Sequence, residues 1–480
     1  MNEAFTSSKV GKYFKIEERK SCFTREFRAA TTTFLSIVYV ITVISTVLAS
    51  TGGPCSHSSE ALEYKNCVLV VQSDLIVAVS LASMLGCFAM GLLANLPLGV
   101  APGSGQAMYM AYNLVGLNGS GPMKYSEALG LWMVEALVFL VISGSGLRAK
   151  MGRLIPPSVR LACAVGIGLF IAFVGLQSEH GVGLIGPDMK MKSLNSPTFW
   201  LGVVGFIIMC YGMAHEVKGS MIYGILFVTL ISWFRSTSVT YFPKTVEGEV
   251  KYLYFRKVVD FHKIQKIAGK ISFKDFSKGR TWVSLFILVY IDILATTGTL
   301  YTLVEIGGFI DNQGSFENEY IAYMVDALVT VVGSALGISP VSTAAESSTG
   351  IKEGGRTGLT AVIIGLYFSL SLVFAPLLTS VPPWAIGPSL VMVGVIMMKV
   401  AKDIDWGNIK EAVPAFITII LMPLTSSIPN GIIGGLGIYV VLNFYGWISW
   451  MVKVVVMKKP KIKNPMQIEA NEIGNQGAIP

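Results

Sequence analysis

The sequence predicts an all-α polytopic membrane protein with 14 transmembrane segments in two inverted repeats of seven. Of its 480 residues, 52% are hydrophobic and only 14% are charged, and the mean hydropathy is +0.62. Apolar runs close to the roughly 20 residues that a helix needs to cross a bilayer recur along the whole chain. Two of these runs are interrupted by Gly and Pro at corresponding positions of the two halves, which is the pattern of a secondary transporter. Together these observations exclude an ordinary soluble protein.

The predicted spans form two sets, separated by a polar interval. The first set lies near 28–49, 73–94, 98–116, 126–146, 158–177, 198–215 and 219–235, and the second near 281–302, 319–337, 338–355, 357–378, 384–400, 412–427 and 430–450. Because seven is odd, a duplicated second half is inverted relative to the first. The chain accordingly divides into a cytoplasmic N-terminal segment, a first repeat, a connector, a second repeat and a cytoplasmic tail, with limits at 1–27, 28–235, 236–280, 281–450 and 451–480.

The interrupted spans are the third and the tenth. Residues 96–112 read LPLGVAPGSGQAMYMAY, and residues 333–350 read GSALGISPVSTAAESSTG. Each stretch has an apolar run, a Pro and small residues that restart a helix, so each is predicted to be part extended and part helical. Non-helical backbone at membrane depth is tolerated where it is buried in protein or lines a cavity. The two interruptions therefore predict a binding pocket near the bilayer midplane.

Basic residues predict the orientation. They cluster in the N-terminal segment, in the loops after the fourth and twelfth spans and in the tail, which places both termini in the cytoplasm. The same loops explain the net charge of +8, so no nucleic-acid partner is predicted. The connector is also basic although the span count puts it outside; a miscounted span or a folded connector would explain this. Residues 261–276 have amphipathic spacing and are predicted to form a helix on the interface of the bilayer. We expect a multi-pass protein of the plasma membrane, with the endoplasmic reticulum as the alternative.

Other chemistry is sparse. Cys55 and Cys67 flank the loop between the first two spans and can close a small disulfide ring if that loop is extracytoplasmic, although their spacing fixes no geometry. No His or Cys spacing resembles a metal site. No nucleotide-binding motif and no nucleophile–base signature is present, so the sequence predicts neither an enzyme nor a cofactor.

Glu346 is the first candidate site residue. The sequence places it in the first turn of a helix that begins near Thr343, inside the tenth span. A carboxyl group in a span is costly and is by default a functional hypothesis; a satisfied structural Glu is the alternative. The free amides of a helix N-terminus favour a negative or polar partner there. In the third span, Gln106 and Tyr109 follow a similar helix start and are predicted to face the same pocket.

Asp292 is the second candidate, deep in the eighth span with Thr296 at i+4 on the same face. The alternative is an Asp that pairs with Thr or backbone to stabilise helix packing. Two buried carboxyls that converge would suit a proton carrier, since burial favours the neutral form of an acid. Asp292 and Glu346 are therefore predicted to couple transport to protons. Glu135 is interpreted as a packing or domain-interface residue. For Asp326, a functional role and a packing role both stay open.

Four stretches resemble the AzgA-like purine permeases, especially their plant branch. They are TREFRAATTTFLSIVYV at 24–40, APGSGQAMYMAYN at 101–113, ATTGTL at 295–300 and GISPVSTAAESSTGIKEGGRTGLTAV at 337–362. The resemblance implies that the two inverted repeats form a core and a gate domain, with elevator-type movement and a homodimer. It also implies proton symport of purine nucleobases such as adenine, guanine or hypoxanthine, with cytokinins in the plant branch.

The resemblance also assigns roles to residues. Glu346 matches the tenth-span glutamate that hydrogen-bonds the base, and Thr296 and Thr297 match the eighth-span Thr-x-Gly run. Two positions depart from the family pattern: Ala295 stands where many members have Asp, and the usual third-span Asn is absent, which leaves the contact to Gln106 or to the backbone. The predicted substrate contacts are Glu346, Asp292, Thr296, Thr297, Gln106, Tyr109, Ala345, Ser347 and Phe34.

A purine suits such a pocket on chemical grounds. It is a planar heterocycle with donors and acceptors on its edges, so it fits carboxyl, hydroxyl and amide groups beside an aromatic face. Phe34, Tyr109 and Tyr290 are candidates for that face. The alternative function is an anion transporter or channel of the same architecture, in which the paired helix ends bind a negative substrate. Buried carboxylates at the site argue against it.

Overall fold

Helices dominate the fold, because the backbone of a chain in a bilayer must bond to itself. The computed structural model describes residues 6–55, 61–145, 157–177, 181–186, 195–217, 219–260, 262–310, 316–425 and 428–457. The helices of the first half and the connector are α1 (Lys9–Tyr13), α2 (Phe23–Ile37), α3 (Tyr39–Ala49), α4 (Ala61–Ala89), α5 (Ser104–Met108), α6 (Tyr125–Gly144), α7 (Pro157–Leu176), α8 (Pro197–Ala214), α9 (Ser220–Ser232) and α10 (Val246–Phe255).

In the second half, the described residues form further helices, both long and short. They are α11 (Gly279–Ile306), α12 (Glu319–Leu336), α13 (Ser347–Lys352), α14 (Gly358–Ser371), α15 (Ala375–Thr379), α16 (Pro383–Met398), α17 (Ile409–Leu424) and α18 (Ile428–Met457). In the part of the chain that the structure describes, every predicted unbroken span overlaps one or more of these helices. Within the described residues, seven helical stretches are long and apolar enough to cross a membrane, and three shorter apolar helices accompany them.

The two interrupted spans contain the extended backbone that their Gly and Pro residues predict. Strand β1 (Val100–Pro102) precedes α5, and strand β2 (Val341–Thr343) precedes α13. The strands pair antiparallel, with Val100 opposite Thr343 and Pro102 opposite Val341. This prediction is confirmed, and the pairing joins the two halves of the chain at their interruptions.

The described helices pack in two groups. The first group contains α2, α3, α4, α5, α6, α11, α12, α13 and α14, together with both strands. The second group contains α7, α8, α9, α16, α17 and α18. The groups meet where α5 lies against α7 and where α3 lies against α16. At the first of these contacts a side chain on Gly105 would place its Cβ only 2.9 Å from Ile167, so the small residue permits the approach.

The connector is folded onto the first group. It contains helix α10, but 262–273 are not helical, so the interfacial helix predicted over 261–276 is wrong for these residues; residue 261 lies outside the described part of the chain. The amides of Gln265 and Lys266 donate to Asp74 Oδ2 of α4 at 3.0 and 2.6 Å and are therefore withheld from a helix. The other oxygen of Asp74 bonds His262 Nε2 at 2.6 Å. Asp74 is fully buried, so its carboxylate anchors the connector to α4.

The N-terminal segment is also anchored. Ile16 is fully buried, and Arg19 donates to the Asn95 carbonyl at 2.6 Å, just beyond the C-terminal end of α4. Glu317 binds both Lys15 Nζ at 2.5 Å and Arg19 Nη2 at 2.9 Å. The hydrogen bond from Lys15, followed by that from Arg19, holds the pKa of Glu317 below its ordinary value despite some opposition from burial.

Glu26 is a fully buried carboxylate in the first turn of α2. It accepts hydrogen bonds from Ser21 Oγ at 2.5 Å, from the amides of Arg356 and Thr357 at 3.1 and 3.3 Å, and from Thr360 Oγ1 at 2.5 Å. Amides that begin a helix have no partner within it, so this carboxylate satisfies the start of α14. Glu26 thereby ties α2 to α14.

Cys55 and Cys67 form a disulfide. Cys67 lies near the start of α4, whereas Tyr13 of the N-terminal segment donates to the Leu92 carbonyl beyond the end of that helix, at 2.5 Å. The disulfide and the N-terminal segment therefore lie at opposite ends of α4, which places them on opposite sides of a membrane that α4 crosses.

Candidate functional site

The crossing of the interrupted spans is held by bonds beyond the strand pairs. The Ala344 amide donates to the Gly99 carbonyl at 2.9 Å, and the Gly99 amide donates to Ser347 Oγ at 2.9 Å. On the other side of the strands, the Gly103 amide donates to the Pro340 carbonyl at 3.1 Å. The starts of α5 and α13 are thus fixed relative to each other.

Asp326 of α12 supports the second strand. Its Oδ1 accepts from the Thr343 amide at 2.9 Å and from Thr343 Oγ1 at 3.2 Å, and its side chain is buried. Thr330, one turn later, donates to the Val341 carbonyl at 2.8 Å. The sequence left the role of Asp326 undecided. Because its carboxylate is bonded to the backbone of β2, the structure favours a structural role.

Glu346 is the residue that immediately precedes α13, and its side chain is half-buried. The predicted helix start near Thr343 is wrong, because Thr343 belongs to β2 and the helix begins at Ser347. Glu346 Oε1 accepts a hydrogen bond from the Tyr39 hydroxyl of α3 at 2.7 Å. Ala345 beside it is exposed. Glu346 thus lies next to an accessible residue at the start of α13.

Asp292 of α11 meets the third span through Gln106 of α5. The two side chains are buried, and Gln106 Nε2 donates to Asp292 Oδ1 at 2.5 Å. Thr296 lies on the same face as predicted, but its hydroxyl donates to the Asp292 carbonyl at 2.6 Å. Helix α11 also packs against α13. Gln106 and Asp292 thus bring one interrupted span and the eighth span together, next to the helix that follows Glu346.

Glu346 and Asp292 have different hydrogen-bond partners. Tyr39 holds the first and Gln106 holds the second, and these partners come from α3 and α5. A tyrosine hydroxyl and an amide N–H both donate, so each can stabilise a carboxylate and can be displaced by a ligand donor. Chemically the arrangement offers two acids, each able to accept a hydrogen bond from a substrate or to carry a proton.

The other predicted site residues are distributed around this crossing. Tyr109 is buried in the π-helical turn Tyr109–Leu114 that follows α5. Phe34 contacts Tyr367 of α14 in a tilted arrangement and Phe368 edge-to-face, with ring centroids 5.1 and 5.3 Å apart. Ser347 is buried and its hydroxyl bonds Gly99.

Four further residues that the sequence singled out add less to the geometry. The side chains of Thr297 and Ala295 lie outside those that the structure describes. Tyr290 is half-buried in α11. Glu135 is fully buried in α6, which packs against α11 and α12.

Sequence reasoning missed Tyr39. The signal available was a hydroxyl-bearing aromatic within an apolar run, next to Val38, where α2 and α3 are offset. Such a residue is ordinary in a membrane span, and only its partner, 307 positions away, distinguishes it.

Comparison with known proteins decides the family. The model of the permease family Xan_ur_permease matches residues 26–434. The chain belongs to the xanthine/uracil permease family. This permease is 38% identical to the Efflux pump notK' of Aspergillus versicolor, over 93% of this chain and 84% of that protein. It is 30% identical to the guanine/hypoxanthine permease PbuO of Bacillus subtilis, over 87% and 91% of the two chains, and 30% identical to the adenine permease AdeP of Escherichia coli, over 90% and 89%.

Solved structures of other membrane proteins have a similar fold. The permease resembles the transmembrane domain of the cyanobacterium bicarbonate transporter BicA, with a TM-score of 0.58 and 15% sequence identity, over 86% of this chain and 97% of that domain. It resembles the structure of SLC26A9 with a TM-score of 0.53 and 10% identity, over 87% and 65%. The fold is thus a helical polytopic membrane fold similar to that of these proteins, and the chain is a multi-pass member of the permease family.

Proposed function

We propose that this permease is a proton-coupled symporter of purine nucleobases, adenine, guanine or hypoxanthine, and that Glu346 binds the base. The observation that carries the proposal is the half-buried Glu346 carboxylate at the start of α13, oriented by Tyr39 and flanked by exposed Ala345. A carboxylate and adjacent amides match the donor and acceptor edge of a purine. The similarity to adenine and guanine/hypoxanthine permeases supports the same substrate class.

The two packing groups support a proposal for the transport mechanism. We propose that the 14 predicted spans form two inverted repeats, 28–235 and 281–450, and that the first packing group is a core domain that moves against the second, a gate domain. Both interrupted spans, Asp292 and Glu346 lie in the first group, so an elevator movement would carry the whole site. A homodimer, the plant-branch affinity and cytokinin transport are further parts of the proposal that rest on the sequence resemblance.

The opposite ends of α4 support the orientation. Disulfides persist in oxidising compartments, so we propose that the Cys55–Cys67 end is extracytoplasmic and that both termini are cytoplasmic. The connector, which is anchored to the same half of α4 by Asp74, then lies outside, most simply at the plasma membrane. Folding of the connector supplies the reason that its basic residues do not obey the positive-inside rule.

Uptake of radiolabelled adenine and guanine into a host that lacks its own purine permeases tests the proposal. We expect saturable uptake that increases at acidic external pH and falls with an uncoupler. Glu346→Gln should abolish it, whereas Glu305→Gln, a control at an exposed carboxylate near the end of α11, should transport normally. An export assay belongs beside it, because one relative is named an efflux pump. Normal uptake by Glu346→Gln would reject the site, and uptake indifferent to pH and uncoupler would reject proton coupling.

An anion substrate is the alternative function, and the fold alone is compatible with it. Asp292 and Glu346 at the crossing would repel an anion, whereas anion sites favour Arg or Lys. Bicarbonate and sulfate flux in the same cells separates the two functions: the proposal expects no flux above that of the host.

A further inference from the structure

A cavity of about 180 Å³ lies between α4 and the connector, away from the crossing of the interrupted spans. Leu69, Val70 and Ser73 of α4 form one wall, and Tyr241, Lys251 and Tyr254 form the facing wall. Glu346 and Asp292 do not line it. The cavity lies against the half of α4 that begins at the disulfide, so on the proposed orientation it lies on the extracytoplasmic side.

The facing wall is held in place by buried charge. His262 lines the cavity and bonds Asp74, which is fully buried one residue beyond Ser73. Asp74 also accepts the two amides of Gln265 and Lys266, so the connector has a fixed position over α4. A fixed wall costs a ligand less ordering on binding than a mobile one.

The cavity walls suit a planar heterocycle. Leu69 and Val70 supply an apolar surface, Tyr241 and Tyr254 supply aromatic rings, and Lys251 Nζ lies 4.8 Å from the centre of the Tyr241 ring. Lys251 and the Tyr254 hydroxyl can donate to acceptors on a ligand edge, whereas Ser73 Oγ donates to the Leu69 carbonyl at 3.0 Å and offers a ligand only an acceptor. Burial raises the pKa of Tyr254, so its phenol stays protonated and remains a donor at neutral pH. A cavity of about 150 Å³ binds benzene, so this volume is sufficient for a heterocycle of similar size.

We propose that this cavity is a second binding site for a nucleobase, occupied from the extracytoplasmic side. The proposal rests on the proposed substrate class. The site also joins the two packing groups, because α4 belongs to the first group while Tyr241 packs against Trp384 of α16 in the second, with ring centroids 6.0 Å apart. A base bound here would contact both groups at once, so its occupancy would slow their relative movement and reduce uptake at high external concentration.

Equilibrium binding of radiolabelled adenine to the purified full-length protein tests this site. We expect two equivalents for the wild type, one for Glu346→Gln and one for Leu69→Trp, which fills the cavity. Leu85→Trp is the matched control, because Leu85 is an exposed leucine of the same helix outside the cavity, and it should bind two. The one equivalent that Leu69→Trp keeps shows that this variant is folded, and it should vanish in the double variant Leu69→Trp/Glu346→Gln.

The outcomes separate this inference from the proposed function. Two results would overturn the second site and leave the transport function standing. One is a wild type that takes up adenine but binds a single equivalent, which Glu346→Gln removes. The other is a Leu69→Trp variant that still binds two equivalents. Absence of both nucleobase uptake and binding in the wild type overturns the two together. Lys251→Met, which keeps the length of the side chain and removes its charge, should weaken the second equivalent several-fold without altering the first; an unchanged second equivalent would remove Lys251 from the site.

Discussion

The Tyr39 hydroxyl donates a hydrogen bond of 2.7 Å to Glu346 across 307 positions of sequence. This bond joins α3 to the start of α13, so the carboxylate at the proposed site is oriented by a helix outside the interrupted spans. Hydrogen bonds to charged groups contribute about 1.5–3 kcal/mol. Tyr39→Phe should therefore lower kcat/KM for adenine uptake roughly tenfold or more, since about 1.4 kcal/mol corresponds to a factor of ten.

Tyr211→Phe is the control for this substitution, because Tyr211 is an exposed tyrosine of α8. It should transport as the wild type does. Uptake by Tyr39→Phe within a factor of two of the wild type would show that the hydrogen bond does not orient a working carboxylate.

Substitutions at Asp292 and Gln106 distinguish an effect on transport from an effect on stability. Asp292→Asn keeps an acceptor for the Gln106 amide but cannot release a proton, so it should abolish pH-dependent uptake with little change in the melting temperature in detergent. Gln106→Leu removes the donor from a buried carboxyl and should destabilise the protein by roughly 1–3 kcal/mol. Uptake and melting are measured on the same preparations. An Asp292→Asn protein with full uptake would reduce Asp292 to a packing residue.

Asp74 is predicted to be the anchor of the connector. Asp74→Ala leaves His262 and two amides without their shared acceptor, so trypsin should cut the connector at Lys263 or Lys266 much faster than in the wild type. Mass spectrometry of the fragments locates the cuts. The control is Asp260→Ala, which removes a carboxylate at 3.7 Å from Lys257 on the connector surface and should digest at the wild-type rate. Equal rates for Asp74→Ala and the wild type would contradict the anchor.

Glu317 should make a pH-dependent contribution to stability. The pKa of Glu317 in the folded state lies below its ordinary value, chiefly through the Lys15 hydrogen bond. Its contribution to stability is therefore fully present above the unfolded-state pKa of about 4.3 and is lost as the pH falls through the folded-state pKa. The pKa of Lys15 is raised by the same partner, which matters only in strongly alkaline solution.

Melting curves from pH 7 to pH 3.5 should therefore show a gap between the wild type and Glu317→Gln that closes at the acid end. The gap should be small at neutral pH, because an exposed ion pair contributes about 0–1 kcal/mol. A gap that widens on acidification would contradict the assignment.

Labelling of intact cells tests the orientation. An impermeant reductant followed by an impermeant maleimide should modify Cys55 and Cys67, because the disulfide end of α4 is proposed to be extracytoplasmic. Cys22 lies on the side of the N-terminal segment and should react only after the cells are opened. Labelling of Cys22 in intact cells would reverse the proposed orientation.

The sequence predicted the parts of the fold that depend on local composition. Apolar length located the helices, and Gly and Pro located both interruptions, because backbone chemistry alone dictates extended structure there. Glu346 and Asp292 were recognisable because a carboxyl inside an apolar run is anomalous. Their partners were not, since Tyr39 and Gln106 are ordinary residues until the fold brings them near. The connector was mispredicted for the same reason: its amphipathic spacing is local, whereas the Asp74 carboxylate that takes its amides lies 188 or more positions away.

The antiparallel register between Val100 and Thr343 has one more consequence. Strands β1 and β2 come from different halves of the chain. Separating them would break backbone hydrogen bonds where no water is present to satisfy the freed groups. On the proposed elevator movement the two paired strands would therefore move as one unit, and Ser342→Pro, which removes a backbone N–H donor from the pairing, is expected to abolish transport without opening a leak.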